Sequence, residues 1–181
     1  MAVWLQIIGK RDFISFEKER EKLFDILSNI SLDLSFLEST EFNSEYDPKL
    51  WTLDEKYNMT YFEYPLTNSS EIGFNSIRVI FNNPKFIEFS GPFMFFSEWF
   101  YLGNKFSGKI ENGWRKIFKQ IAKEYQMNNL VYISEWFYPT ELFHNGEESV
   151  EELFETFKLN GAKEIQYLGN LNHNDFFLEK L

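Results

Sequence analysis

The 181-residue chain contains no cysteine. Disulfides, thiolate metal sites and catalytic thiols are therefore excluded, and the composition favours a reducing compartment. The two histidines, His144 and His173, are too few for a histidine-based metal site and lack the pattern of a catalytic triad. No phosphate-binding loop or dinucleotide fingerprint occurs, so the sequence predicts no cofactor and no metal site.

Long apolar segments are also missing. No apolar run approaches the roughly 18 residues that a membrane helix needs, so we expect no membrane partner. The N-terminal run MAVWLQIIGKR has no charged residue before its apolar part, which is unlike a signal peptide. Together with the absence of cysteine, this predicts a cytoplasmic protein.

Basic residues are scarce relative to acidic ones. The chain has 18 Lys and Arg against 28 Asp and Glu, which gives a formal net charge of −10. Proteins that bind nucleic acid normally carry a basic surface, so the sequence predicts no nucleic-acid partner. The charge favours a basic protein partner, or it serves only to keep the protein soluble.

Aromatic residues, by contrast, are abundant: the chain holds 22 Phe, 9 Tyr and 5 Trp. Each aromatic side chain buries about 150–250 Å² in a core. A chain of this length and composition can therefore bury a rigid core without metals or disulfides. We expect a single globular domain over residues 1–181.

The hydrophobic pattern predicts a mixed α+β fold. In the first third, a buried strand is expected over 2–8, and a helix over 16–30. Alternation over 32–36 predicts a short strand, and the polar stretch 38–57 predicts a surface loop anchored by Trp51. The predicted buried face of the helix comprises Phe16, Leu23, Phe24, Leu27 and Ile30.

The middle of the chain predicts antiparallel pairing. A strand is expected over 58–64, before Pro65. Two further runs, 77–81 and 86–89, flank the turn residues Asn82, Asn83 and Pro84, which is typical of a β-hairpin.

The last third predicts two amphipathic helices and two strands. Apolar residues recur with helical spacing from Trp114 to Tyr125, and an apolar strand follows over 130–134. A second helix is expected between Ser149, a capping-box residue, and Gly161, with a buried face of Val150, Leu153, Phe154 and Phe157. A final strand is expected over 163–168.

The pentapeptide SEWFY occurs twice, at 97–101 and 134–138. After each copy come a glycine-containing loop and an amphipathic helix, so the repeated unit extends beyond five residues. Two such units fit a βαβαβ arrangement with parallel strands in the C-terminal third. The mixed sheet would then be antiparallel in the middle and partly parallel near the C-terminus.

The repeat also suggests a candidate pocket at the carboxyl ends of two strands. Glu98 and Glu135 would lie close together there, and paired carboxylates are what glycoside hydrolysis requires. The alternative is structural, since Trp and Phe at a strand end often close the core while the Glu pairs with Lys116 or Lys119. The aromatic walls of this pocket would be Trp99, Tyr101, Trp136 and Tyr138.

A second candidate site is electrostatic. Residues 141–157 hold six acidic residues and no Lys or Arg, and four of the six follow helical spacing. The functional interpretation is a docking surface for a basic protein. The alternative is a solvated helix face. The six are Glu141, Glu147, Glu148, Glu151, Glu152 and Glu155.

The sequence therefore favours non-catalytic protein binding. In composition the chain resembles the immunity proteins of bacterial toxin pairs, which are small, acidic and cysteine-free; this resemblance implies neutralisation of a basic toxin. A hydrolase acting on a sugar-like substrate through Glu98 and Glu135 is one alternative, and a structural domain without a specific site is another. The basic residues Arg115, Lys116, Lys119 and Lys123 could contact an anion or balance nearby acids.

Overall fold

The computed structural model describes residues 5–56, 59–67, 75–94, 107–134, 150–171 and 175–181. In this part of the chain, three α-helices and eight strands are present. The helices are α1 (Phe16–Asn29), α2 (Ser107–Glu124) and α3 (Val150–Leu159). The strands are β1 (Leu5–Lys10), β2 (Thr52–Lys56), β3 (Met59–Pro65), β4 (Ser76–Ile80), β5 (Phe86–Ser90), β6 (Asn129–Ser134), β7 (Lys163–Ile165) and β8 (Asp175–Lys180).

All eight strands belong to one sheet in the order β2-β3-β4-β5-β1-β6-β8-β7. Neighbouring strands are antiparallel except β7 and β8, which are parallel. The predicted mixed α+β class and the antiparallel middle are therefore confirmed. None of the described helices is both long and apolar enough to cross a membrane.

One face of the sheet carries the larger core, against which α1 and α2 pack. At its centre the fully buried Trp114 lies between the rings of Phe36 and Phe118, with centroid distances of 4.9 and 5.6 Å. Gly113 permits this approach, because a Cβ there would lie 2.2 Å from the Phe36 ring. Burying one such aromatic contributes about 4–6 kcal/mol before conformational entropy is subtracted.

The opposite face carries a smaller core under α3. Successive residues of a strand point to opposite faces, so Ile7 joins the larger core while Ile8 joins this one. Phe157 of α3 is fully buried, and its ring centroid lies 5.1 Å from that of Phe176. The other members of this cluster are Phe86, Val131, Ile133 and Ala162.

The same face is polar where β3 and β4 cross it. The buried Glu63 carboxylate accepts hydrogen bonds from Ser76 Oγ at 2.5 Å and from Arg78 Nε at 2.9 Å. The Arg78 guanidinium also lies 4.9 Å from the ring centroid of Tyr61. Among the described residues, apolar packing therefore covers only part of this face.

Helix ends follow their local sequence. Ser15 caps α1 by accepting a hydrogen bond from the backbone N–H of Lys18. After α2, Gln126 adopts a positive φ of 69°, and the Met127 N–H donates to the Ala122 carbonyl at 2.9 Å. Gly161 follows α3 with a φ of 88°, as the sequence predicts.

The parallel component of the sheet is smaller than a βαβαβ unit implies. Strands β5 and β6 do run parallel, but β1 lies between them and is antiparallel to both. The strands before and after α3, β6 and β7, were expected to be parallel neighbours. They are antiparallel instead, and β8 lies between them in the sheet. The sequence did not predict β8 as a strand, and the predicted strand 163–168 ends at Ile165.

Three local predictions are corrected. The stretch 32–36 forms no strand but leads into a 3-10 turn at Ser35–Leu37, because Asp33 Oδ1 accepts from the Ser35 N–H and turns the chain. The predicted loop 38–57 keeps Trp51 as a buried anchor but contains strand β2. In α1 the core is reached by Leu23 and Leu27, while two residues of the predicted buried face, Phe16 and Phe24, are 41% and 55% exposed.

Candidate functional site

All six residues of the predicted pocket and part of the predicted acidic stripe lie outside the described residues. This applies to both carboxylates of the alternative catalytic pair, Glu98 and Glu135, and to the aromatic residues Trp99, Tyr101, Trp136 and Tyr138. It also applies to Glu141, Glu147 and Glu148, and to the side chain of Glu151. The two acids whose side chains are described are Glu152 and Glu155.

Both of these acids lie on the outer face of α3. Phe157 is fully buried against the sheet, which fixes the orientation of the helix. Glu152, Glu155 and Leu159 are spaced at i, i+3 and i+7, so they share the side opposite Phe157. Glu152 and Glu155 are exposed, and Lys158 reaches Glu155 Oε1 at 3.3 Å from the flank.

The position of Leu159 stands out on this face. Its side chain is 85% exposed, the highest value among the exposed large apolar residues in the described part of the chain. Exposed leucines are common singly, but this one continues a row of carboxylates at the end of a helix. The outer face of α3 therefore combines an apolar side chain with negative charge.

Three basic residues of α2 are paired with acidic residues from other parts of the chain. Glu179 of β8 accepts hydrogen bonds from Arg115 Nη2 at 2.8 Å and from the Tyr132 hydroxyl at 2.6 Å, and Lys119 Nζ lies 3.0 Å away. Burial acts to raise the pKa of Glu179, but these three donors outweigh it and hold the pKa below its ordinary value. The carboxylate is thus fixed in its charged form.

These contacts decide between the two interpretations of the basic residues. Arg115 and Lys119 share Glu179, and Lys116 Nζ lies 2.7 Å from Asp33 Oδ2. They line a shallow cavity of about 470 Å³ together with Lys123. Three of the four cations therefore balance nearby acids.

A second cavity, of about 230 Å³, lies where β1 ends and β6 begins. Its walls come from three separate parts of the chain: residues 10–12, Lys22 of α1, and residues 125–129 after α2. The Lys22 Nζ lies 4.0 Å from the centroid of the Tyr125 ring. Gly9 borders this region, where a Cβ would lie 2.4 Å from Met127 Sδ.

Arg11, in the wall of this cavity, belongs to a buried ion pair. Its Nη1 lies 3.3 Å from Glu19 Oε2, and its Nη2 donates to the backbone carbonyls of Phe81 and Asn83 at 2.8 and 2.5 Å. Burial lowers the pKa of Arg11 to about 10, although Glu19 opposes the shift. The pair joins β1 to α1 and holds this wall in place.

Comparisons with protein-family models, with curated protein sequences and with solved structures found no match to this chain. Any functional assignment must therefore come from the chain's own residues.

The second cavity was not predicted from the sequence. Its residues are separated by up to 119 positions, from Lys10 to Asn129, and none belongs to a motif. The one local signal is the polar run Gln126-Met127-Asn128-Asn129 directly after an amphipathic helix. Such a run is also what an ordinary turn contains, so it could not identify a site.

Proposed function

We propose that the protein is a non-catalytic binding module that engages a basic protein partner through the outer face of α3. The observation that carries this proposal is the row of Glu152, Glu155 and Leu159, which is directed away from the sheet. An exposed apolar side chain beside carboxylates is the pattern of a contact surface with charged surroundings. The net charge of −10 also attracts a basic protein over longer distances.

The two parts of this surface would act differently on binding. Carboxylates mainly raise the association rate and discriminate against acidic competitors. Burial of one leucine contributes about 1.5–3 kcal/mol when its side chain leaves water completely. Leu159 therefore supplies affinity, and Glu152 and Glu155 supply speed and selectivity.

An immunity-type role is the specific form of this proposal. It states that the basic partner is a toxin whose activity falls when α3 binds it. The compositional resemblance to immunity proteins motivates this form. It is tested separately, by expressing the captured partner with and without the protein and measuring cell survival.

Site-specific photo-crosslinking tests the surface. A photoreactive phenylalanine analogue replaces Leu159 in one variant and Phe24 in another; Phe24 is also exposed but lies on α1, on the other side of the sheet. We expect an adduct with a basic protein from position 159 and none from position 24. Mass spectrometry of the adduct identifies the partner.

The charged residues provide the matched control. Glu152→Gln with Glu155→Gln, introduced beside the photoprobe, should reduce the yield of the adduct at low salt. Glu17→Gln with Glu21→Gln changes the charge equally on exposed positions of α1 and should leave the yield unchanged. An adduct formed only from position 24, or an acidic partner at position 159, would refute the proposal.

A further inference from the structure

The cavity at the end of β1 is locally cationic in a strongly acidic protein. Lys10, Arg11 and Lys22 line it, against one lining carboxylate, Asp12. Arg11 is balanced by Glu19, whereas Lys10 and Lys22 form no salt bridge within the described part of the chain. The lining therefore contains two lysines without a salt bridge and one carboxylate.

Two residues in the wall also carry buried polar atoms without a hydrogen-bond partner among the described residues. They are the hydroxyl of Tyr125 and Nε of Arg11. Both atoms are buried behind the surface of the cavity, so the groups that can reach a ligand belong to the accessible side chains, above all those of Lys10 and Lys22.

The remaining wall adds donors without adding negative charge. Gln126, Asn128 and Asn129 line the cavity with amide side chains, each of which offers two N–H groups. Lys22 is held against the Tyr125 ring, which places a cation and a hydroxyl-bearing side chain in the same wall. Cations and neutral donors are the groups that recognise phosphate and carboxylate oxygens.

We propose that this cavity binds a small anion bearing a phosphate or carboxylate group, with Lys10 and Lys22 as hydrogen-bond donors. Its volume of about 230 Å³ is smaller than the roughly 300–1,000 Å³ typical of drug-sized ligands, so the ligand is a small metabolite. The net charge of −10 repels anions at a distance, but charges are screened beyond about 8 Å at physiological salt. Recognition is therefore local.

The cavity along α2 does not support a similar proposal. It is larger, but Arg115 and Lys119 are committed to Glu179 and Lys116 to Asp33. Its remaining cation, Lys123, is exposed and provides a useful control for charge.

Titration by NMR of the labelled 181-residue chain tests the proposal, with inorganic phosphate, citrate and glucose as separate probes. We expect saturable shifts of the amide signals of Gln126, Asn128 and Asn129 with phosphate or citrate, and none with glucose. A response to phosphate alone identifies phosphate esters as the ligand class, and a response to citrate alone identifies carboxylates.

Three variants make the test specific. Lys22→Gln should weaken binding at least about tenfold, because a hydrogen bond to a charged group is lost. Lys10→Gln should weaken binding for the same reason. Lys123→Gln should bind like the parent protein.

The proposal is overturned if neither anion gives a saturable shift up to about 20 mM, well above the range of specific metabolite sites. It is also overturned if Lys22→Gln and Lys123→Gln bind equally well, which would reduce the effect to overall charge. Unchanged affinity in Lys10→Gln would remove that ammonium group from the site and contradict the stated donors.

Discussion

The two faces of the sheet are built differently. The face under α1 and α2 is continuous aromatic and aliphatic core, with Trp114 at its centre. Among the described residues, the face under α3 has a small apolar cluster around Phe157 and, on β3 and β4, the ion pair of Glu63 and Arg78. In the described part of the chain, the first face therefore holds most of the buried apolar side chains.

The difference between the two faces affects which surface can serve for binding a partner. Substitutions on the outer face of α3 are distant from the larger core, which lies on the other side of the sheet, so their effects should be independent of it. The outer face of α3 carries the exposed row of Glu152, Glu155 and Leu159. Stability and recognition would then be separated on opposite sides of one sheet, which mutations can test.

The largest effect is expected in the larger core. Trp114→Ala should lower the free energy of unfolding by about 3–5 kcal/mol, because it removes a fully buried indole and leaves a cavity between Phe36 and Phe118. On the other face, Phe157→Leu should cost less, about 1–2 kcal/mol. Urea denaturation measures both, and equal losses would break the comparison between the faces.

The polar part of the second face should show an intermediate effect. Glu63→Gln leaves the partly buried Arg78 without its carboxylate and should cost about 1–3 kcal/mol. Glu55→Gln is the matched control, since it removes an exposed pair with Arg20 on the same edge of the sheet and should cost about 0–1 kcal/mol. Urea denaturation measures the loss in free energy of unfolding for both variants. If Glu63→Gln loses no more than Glu55→Gln, burial does not strengthen the Glu63–Arg78 pair.

A pH effect is expected from Glu179 on the first face. Its hydrogen bonds hold its pKa below the ordinary value of about 4.3, despite burial, so the unfolded state binds a proton first as pH falls. The stability that Glu179 contributes is thus present above the unfolded pKa and is lost as pH falls through the folded pKa. Glu179→Gln should flatten the loss of stability below about pH 4.3. Parallel pH profiles of the variant and the parent protein would contradict this.

The smallest effect on stability is expected at the outer face of α3. Glu152→Gln with Glu155→Gln should leave the free energy of unfolding within about 0.5 kcal/mol of the parent protein, because both side chains are exposed. Thermal melts measure this. A larger loss would mean that these carboxylates support the fold, and it would weaken the separation of the two faces.

The sequence predicts those features of the fold that depend on local pattern. The spacing from Trp114 to Tyr125 predicts α2, and Asn82-Asn83-Pro84 predicts the hairpin of β4 and β5. The alternating residues Leu32, Leu34 and Phe36 are buried in the structure, but they lead into the turn at Ser35–Leu37. Alternation over so few residues could not distinguish this turn from a strand. Strand β8 was missed because its run DFFLEK alternates poorly.

The candidate sites were less predictable. The outer face of α3 follows from helical spacing alone, whereas the exposure of Leu159 required the structure. The contact of Glu179 with Arg115 joins residues 64 positions apart, and the cavity of Lys22 and Tyr125 joins three segments. Such pairings depend on the order and direction of the strands. The sequence predicted these only in part, since it placed a parallel crossover across α3 that the structure does not have.

The most direct test of the central claim is the association rate with the partner identified by crosslinking, measured by stopped flow across salt concentrations. The proposed surface predicts that Glu152→Gln with Glu155→Gln slows association about tenfold at low salt, and that the difference shrinks as salt screens the charges. The α1 control, Glu17→Gln with Glu21→Gln, should associate like the parent protein. Identical rates and salt dependence for both double variants would show that the outer face of α3 does not recognise the partner.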